Sequence, residues 1–265
     1  MFELYVDKNS IIHQLHPGMK LIVFLTFIFF LNLTLSTNYF IFSLYYVVLL
    51  FMVILSKIPI RLLAKRTLIA LPFLLAAVPL IFDSQSAWVV SLPILNFEIG
   101  LSLAGVEKFI GILIKAIISI QAAILLTSTT RFSGILFGLR FLRVPSIFVS
   151  VFGLTWRFLF ILVEETQRMI HARDSRSSSS INKFIRSGGS LLWRGKVTGG
   201  MAGSLFIRSL ERSDRIYQAM ISRGYEGEAL YSVLQDDSIG KLNLALLILS
   251  ILLIISIWYF GFIHV

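Results

Sequence analysis

The sequence predicts an all-α polytopic membrane protein with about five transmembrane helices and a cytoplasmic helical domain inserted before the last span. Hydrophobic residues make up 57% of the 265 positions, charged residues only 14%, and the mean hydropathy is +0.86. A soluble fold of this size leaves much of its surface in water and could not hide so much apolar area. A lipid environment removes that restriction.

Five apolar runs are long enough, or nearly so, to cross a hydrocarbon core, which takes about 20 mostly apolar residues. These runs are 19–35, 39–55, 68–82, 101–126 and 243–262. The turn at 36–38 is short, so the first two runs are predicted to form an antiparallel hairpin. The third run contains Pro72 and Pro79, and we expect it to span with a kink.

Basic residues in short loops set the orientation of a membrane protein. The loop after the second run carries Lys57, Arg61, Lys65 and Arg66. The loop after the third run, 83–100, contains no Lys or Arg. We therefore predict a multi-pass protein of the inner or plasma membrane, with its N-terminus in the cytoplasm.

The charge is concentrated in one segment. Between Arg131 and Arg223 there are 15 Lys and Arg against 5 Asp and Glu, a net charge of +10 that equals that of the whole chain. We predict a four-span membrane domain at 1–127, a cytoplasmic or membrane-surface domain at 128–240, and a last span at 241–265. Such a basic segment favours anionic lipid or an acidic protein partner. Nucleic acid is disfavoured, because no nucleic-acid module is present.

Within the basic segment, the run 147–163 resembles a membrane span but has Arg157 at its centre. If it crossed, the arginine-rich stretch 168–194 would lie outside, against the charge rule. We predict an amphipathic or partly embedded helix on the cytoplasmic side. The alternative is a hairpin with the preceding region, 132–142.

Two further helices are predicted in this segment, at 164–175 and 204–221. The serine run 177–180 predicts a flexible joint, and the glycine-rich stretch 199–203 predicts either a second break or a close-packing site. The second helix has an apolar stripe formed by Phe206, Leu210, Tyr217 and Ile221. Gly224 is positioned to end it.

Catalytic chemistry finds little support. The absence of cysteine excludes disulfides, thiolate metal sites and cysteine nucleophiles. His13 and His16 could form a metal pair, but no third ligand is near in sequence, so a polar segment at the membrane surface is favoured. Glu164 and Glu165 point apart on a helix and are expected to pair with arginines. We predict no catalytic, cofactor or metal site.

The remaining pattern is a pair of helix ends that each contain an arginine, at 172–174 and 222–224. A guanidinium at such an end offers a planar fork for carboxylates, so two ends could engage two copies of an acidic partner. Alternatively, both arginines are ordinary basic residues favoured by the helix dipole or by anionic lipid.

Residues 203–228, GSLFIRSLERSDRIYQAMISRGYEGE, closely resemble the transmembrane coupling (T) component of energy-coupling factor (ECF) transporters. Within the CbiQ/EcfT family, the likeness is greatest to the cobalt and nickel branch. The segments 10–21, SIIHQLHPGMKL, 139–157, and 164–176, EETQRMIHARDSR, resemble other family motifs. The resemblance covers most of the chain.

The resemblance implies a non-enzymatic scaffold of an ABC-type importer, in which coupling helices form the cytoplasmic domain. Two cytoplasmic ATPases would dock on these helices, and a separate substrate-binding membrane subunit, the S component, would dock elsewhere. ATP and Mg would be bound by the ATPases, with no cofactor in this chain. Closure of the ATPases would spread or rotate the helices and reorient the S component.

The ATPase-docking residues that the resemblance implies are Ala172, Arg173, Arg176, Ser222, Arg223 and Gly224. Arg173 and Arg223 match the motif arginines. Asp174 stands where the first motif would have glycine, so Arg176 competes with Arg173 for the first docking role. Ser222 stands where the second motif would have alanine.

Two other functions stay open. A stand-alone permease would need a path within the spans, with Lys108, Lys115 and Gln121 as candidates. An integral membrane enzyme acting on lipid head groups would bind phosphates with the basic segment.

Overall fold

The computed structural model describes residues 5–35, 38–74, 78–79, 88–94, 97–176, 191–225 and 241–263. The chain divides into two compact units. The first comprises Met1–Arg143 with Gln235–Val265, and the second comprises Val144–Leu234.

Helices dominate both units. In chain order the elements are α1 (Ile11–Gln14), α2 (Pro17–Leu33), α3 (Tyr39–Ser56), α4 (Ile60–Leu74), β1 (Trp88–Ile94), β2 (Phe97–Ser102), α5 (Leu103–Thr129), α6 (Phe132–Phe141), α7 (Ser146–Arg176), α8 (Leu191–Ile221) and α9 (Lys241–Ile263). Among the described residues, four helices are long and apolar enough to cross a membrane: α3, α5, α7 and α9. Helices α2 and α6 are shorter and apolar. The predicted all-α polytopic membrane class is confirmed.

The core of the first unit lies between α2, α3, α5 and α9. Helix α3 contributes one face to this core, because Ile41, Tyr45 and Leu49 are four residues apart and each is no more than 3% exposed. Phe27 of α2 meets Tyr45 edge to face, with ring centroids 5.4 Å apart. The opposite faces remain open and apolar: Phe40 is 69% exposed. Lipid would cover such faces.

Glycines bring α2 and α6 close together. A Cβ added at Gly18 would lie 2.8 Å from the ring of Phe141, and one at Gly138 would lie 3.3 Å from the Gly18 Cα. Small residues at a helix interface allow backbones to approach, which is how helices associate where lipid removes the hydrophobic driving force. Helix α6 is therefore held against the beginning of α2.

The N-terminal segment ties helix ends together. The Val6 amide donates to the Ser128 carbonyl at the end of α5 (3.0 Å), and the Lys8 ammonium donates to the Lys57 carbonyl after α3 (2.9 Å). The Lys20 ammonium donates to the carbonyl of Thr129 (3.3 Å). This segment thus links the ends of α3 and α5 to the start of α2.

The helix at the third predicted span begins earlier than 68. This helix, α4, covers Ile60–Leu74, so that Arg61, Lys65 and Arg66 lie on a helix and not in a loop. The Pro59 carbonyl accepts hydrogen bonds from the amides of the third and fourth residues after it, and Lys and Arg are good helix formers, so the turn starts directly after the proline. Much of the predicted 68–82 span lies outside the described residues.

Helix α7 differs from the prediction in extent. The stretches 147–163 and 164–175, predicted as separate helices, form one 31-residue helix, and it meets the length and hydropathy of a span despite Arg157. Residues 132–142 form the separate helix α6 for most of their length. The serine run 177–180 lies outside the described residues.

The predicted break or close-packing site at 199–203 is wrong on both counts. Helix α8 runs without interruption through these residues, and a Cβ added at Gly199, Gly200 or Gly203 would meet no atom of the described residues within 4 Å. The helix is continuous because glycine costs only about 1 kcal/mol relative to alanine in a helix, which the residues on both sides can offset.

The loop 83–100 also contains structure that was not predicted. Strands β1 and β2 pair as an antiparallel hairpin, in a register that runs from Ile94 opposite Phe97 to Trp88 opposite Ser102. Valine, isoleucine and phenylalanine are frequent in this stretch and favour strands.

Candidate functional site

Helices α7 and α8 meet at one crossing in the second unit. The Arg208 guanidinium of α8 donates to the Glu165 carboxylate of α7, with Nη1 and Oε1 2.8 Å apart. Close by, the Ser204 hydroxyl oxygen lies 3.6 Å from the Met169 sulfur and 2.9 Å from the Met201 carbonyl of its own helix, which is the stronger acceptor. Residue numbers increase along α7 while they decrease along α8 between the two contacts, so the helices cross in antiparallel directions.

The two arginine-bearing ends leave this crossing in opposite directions. Arg173 follows Glu165 by eight residues, or about 12 Å at 1.5 Å per residue. Arg223 follows Arg208 by fifteen residues, or about 22 Å on the same basis. Because the helices are antiparallel, the predicted docking arginines lie on opposite sides of the crossing.

On the Arg173 side, the helices enclose a cleft of about 910 Å³. Its lining residues are Glu165, Arg168, Met169, Ala172, Arg173, Asp174, Arg176, Trp193, Arg194, Val197, Thr198, Met201 and Arg208. Five of these are arginines and two are acidic, and the others include Met169, Trp193, Val197 and Met201, so the cleft combines an excess of positive charge with apolar side chains. An acidic surface that also carries apolar groups would complement it.

The end of α7 contains three of the predicted docking residues, Ala172, Arg173 and Arg176, all exposed. The Arg173 guanidinium donates twice to one Asp174 carboxylate oxygen, from Nε at 3.1 Å and from Nη2 at 2.8 Å. Arg176 forms no ion pair with any described residue. At the end of α7, Arg173 is thus paired with its neighbour Asp174, while Arg176 is exposed to a binding partner.

The end of α8 is closed by its backbone. Gly224 has φ +78°, a left-handed conformation that favours glycine. Its amide donates to the Ile221 carbonyl (2.9 Å), and the Tyr225 amide donates to the Met220 carbonyl (3.0 Å). This pair of bonds is the Schellman motif. Gly224 is thereby confirmed as the helix end.

The Schellman motif places Arg223 at the C-cap, with its side chain exposed and without an ion pair to any described residue. Ser222 precedes it, and its hydroxyl donates to the Ala219 carbonyl (3.0 Å), which occupies the group locally. Docking by any of the six predicted residues stays a prediction.

Sequence reasoning missed the Glu165–Arg208 contact. It expected Glu164 and Glu165 to pair with arginines, and Glu164 does bind Arg168 one turn later, at 2.5 Å. The partner of Glu165 lies 43 residues away. No local spacing signals such a contact, although the excess of arginine on α8 indicates that an acidic side chain on α7 could find one.

His13, considered above as half of a metal pair, is used structurally. Its Nε2 donates to the Val6 carbonyl (3.0 Å), and Nδ1 accepts from the Ser10 hydroxyl (2.6 Å). Burial lowers the pKa of His13, which favours the neutral ring that this arrangement needs. Among the described residues, no group of three or more His, Asp or Glu side chains is placed to hold a metal ion.

Two of the residues considered for a permease path, Lys115 and Gln121, have different surroundings in the structure. The Lys115 ammonium donates to the carbonyls of Asn32 and Thr34 at the end of α2, where a cation stabilises the helix dipole. Its role is thus explained by packing between α5 and α2. The Gln121 side-chain oxygen is buried without a hydrogen-bond partner among the described residues.

Comparison with known proteins gives a family match over most of the chain. The CbiQ family, described as cobalt transport protein, matches residues 8–233. An energy-coupling factor transporter transmembrane protein EcfT of Leuconostoc gelidum is 26% identical over 279 residues, which cover 98% of each chain.

Two further relatives are consistent with this match. The cobalt transport protein CbiQ of Rhodobacter capsulatus is 30% identical over 154 residues, covering 58% of this chain and 59% of that protein. An uncharacterized protein of Methanocaldococcus jannaschii is 25% identical over 255 residues, covering 95% of this chain and 83% of that protein.

Proposed function

We propose, from the premise that this chain belongs to the CbiQ family of cobalt transport proteins, that it is the non-catalytic scaffold of an ATP-driven importer. Family membership makes the chain a membrane component of a cobalt or ECF transporter. As a scaffold, it would couple ATP hydrolysis by two docked ATPases to reorientation of a separate substrate-binding membrane subunit.

The observation that carries this proposal is the crossing of α7 and α8. Two arginine-bearing ends on opposite sides of one crossing can contact two separate proteins at once. Each guanidinium offers a planar fork for a carboxylate, and the cleft beside Arg173 is lined by four further arginines. Two copies of one acidic-grooved ATPase would fit this arrangement.

The apolar stripe of α8 supports a second docking partner. Phe206, Leu210, Tyr217 and Ile221 are between 46% and 63% exposed. Exposed apolar groups in such a row indicate a surface that protein or lipid covers. We assign it to the substrate-binding membrane subunit, with membrane lipid around the remaining apolar faces.

Divalent cobalt, with nickel as its chemical neighbour, is the proposed cargo. Support comes from the family's description and from the name of the Rhodobacter relative. The ion would be bound by the substrate-binding subunit, while ATP and Mg would be bound by the ATPases.

The proposed location is the inner or plasma membrane, with the N-terminus in the cytoplasm. The basic residues of 57–66 and of α7 and α8 support this orientation, because Lys and Arg accumulate on the cytoplasmic side. Under this orientation α7 stays on that side, with its apolar first half partly embedded.

The testing experiment reverses both docking arginines in the complex co-expressed with its ATPases and substrate-binding subunit. Arg173→Glu with Arg223→Glu should abolish ATPase co-purification and ATP-driven cobalt uptake, while the membrane part remains folded. Arg212→Glu with Arg215→Glu, which changes the charge equally on exposed positions of α8, is the matched control. Survival of both complex and uptake in the first variant would refute the docking assignment.

Proteoliposomes separate this proposal from the two alternatives. The purified chain alone should transport no cobalt and should not modify phospholipids. Cobalt flux through the chain alone would indicate a permease, and turnover of lipid head groups would indicate an enzyme.

A further inference from the structure

Glu165 is placed unlike the other acidic residues of α7. Its side chain is 25% exposed, whereas that of its neighbour Glu164 is 63% exposed. Glu164 pairs within its own helix, with Arg168. Glu165 pairs across the crossing with Arg208 at 2.8 Å, and Arg168 approaches it at 4.0 Å. The Glu165 carboxylate is therefore shared between two helices.

A second contact, between Ser204 and Met169, lies beside this ion pair and brings the two helices close together. Ser204 and Met169 lie one helical turn from the ion pair on their respective helices, and the small Ser204 side chain lets the flexible methionine lie against α8. On one side of these two contacts, the helices separate around the 910 Å³ cleft. The Glu165–Arg208 and Met169–Ser204 contacts thus join α7 to α8 at two positions one turn apart.

An ion pair at such a place fixes register. A slide of α7 along α8 by one turn, about 5.4 Å, would break a hydrogen bond whose atoms lie 2.8 Å apart. Rotation about the crossing would preserve the bond. A charge-assisted contact is also stronger and more directional than the apolar contacts around it.

We propose that Glu165 and Arg208 are positioning residues that form the pivot between α7 and α8, so that both arginine-bearing ends, when they are moved, turn about one fixed point and in one register. This inference rests on the proposed function, in which ATPases move those ends. With arms of about 12 and 22 Å, a rotation of about 10° shifts the Arg173 end by about 2 Å and the Arg223 end by about 4 Å.

The first experiment is a double-mutant cycle on the assembled complex, with uptake per ATP hydrolysed as the readout. Glu165→Gln and Arg208→Gln should each lower this ratio, which is measured per ATP hydrolysed and so is independent of how much ATPase binds, about tenfold, and the double variant should do no more than either single one. Glu164→Gln, one position away and paired only within α7, should change it less than about twofold. Losses that multiply in the double variant would overturn the proposal.

The second experiment needs no partner protein. Because the sequence contains no cysteine, spin labels at Ser175→Cys and Thr198→Cys would report the distance across the cleft in the purified chain. Glu165→Gln and Arg208→Gln should shift or broaden the distance distribution, and Glu164→Gln should not. An unchanged distribution would overturn the pivot whether or not the ATPases dock. Failure of the docking proposal would instead appear as lost dependence of co-purification on Arg173 and Arg223.

Discussion

The two arginine-bearing ends share a motif but are built differently. At the end of α8, backbone bonds around Gly224 fix the position of Arg223, and no described residue engages its side chain. At the end of α7, the Arg173 guanidinium is occupied by Asp174, and Arg176 stands one turn further on. The backbone therefore presents Arg223, while a side chain holds Arg173. A partner that binds Arg173 must therefore replace the Arg173–Asp174 ion pair, whereas a partner that binds Arg223 replaces no ion pair with a described residue.

Charge reversal at each end gives the largest expected difference. Arg223→Glu should lower ATP-driven cobalt uptake about a hundredfold, since a lost charged contact at an interface costs about 2–5 kcal/mol. Arg173→Glu should lower it only about tenfold, or about 1.4 kcal/mol, which is less than that range, because Asp174 already offsets Arg173 and Arg176 is close. Uptake into vesicles and ATPase co-purification measure both effects. Equal losses would show that the two ends are equivalent.

The next effect concerns the backbone of α8. Gly224→Ala should destabilise the helix end by about 1–2 kcal/mol, because an L-residue is strained at φ +78°. The matched control is Gly200→Ala on the same helix, where a Cβ meets nothing within 4 Å and alanine should stabilise the helix by about 1 kcal/mol.

Thermal unfolding followed by circular dichroism measures both substitutions, and Gly224→Asn should recover part of the loss, since asparagine tolerates this conformation. Destabilisation by both alanines would contradict the distinction between the two glycines.

The smallest expected effect concerns the Arg173–Asp174 ion pair at the end of α7. Asp174→Asn should raise ATPase affinity about threefold, because an exposed ion pair contributes less than about 1 kcal/mol. Titration of the ATPase into the purified chain measures the affinity. In an Arg173→Ala background the gain should vanish. A gain that persists there would assign the first docking role to Arg176.

Local patterns predicted what depends on local forces. The spacing of Phe206, Leu210, Tyr217 and Ile221 predicted a helix with one apolar face, and these side chains lie exposed along α8. Gly224 marked a helix end because few other residues adopt its conformation. The same reasoning failed at 199–203, where the flanking helix outweighs the local cost of glycine.

Contacts between distant residues were beyond sequence reasoning. The Glu165–Arg208 pair depends on how two helices cross, which no spacing within either helix specifies. Similarly, the engagement of Arg173 by Asp174 depends on side-chain rotamers that the substitution of a motif glycine could not reveal. The predicted domain boundaries at 127 and 240 stay predictions.

The glycines of α8 have a consequence for how that helix forms. Gly195, Gly199, Gly200 and Gly203 each disfavour helix by about 1 kcal/mol relative to alanine, and no atom within 4 Å packs where their side chains would be. Considered alone, the stretch 191–203 is therefore a poor helix former. Its helical state depends on the rest of α8, with which it is continuous, and the contacts of Ser204 and Arg208 hold that rest against α7. The crossing of α7 and α8 thus also stabilises the helical state of this glycine-rich stretch.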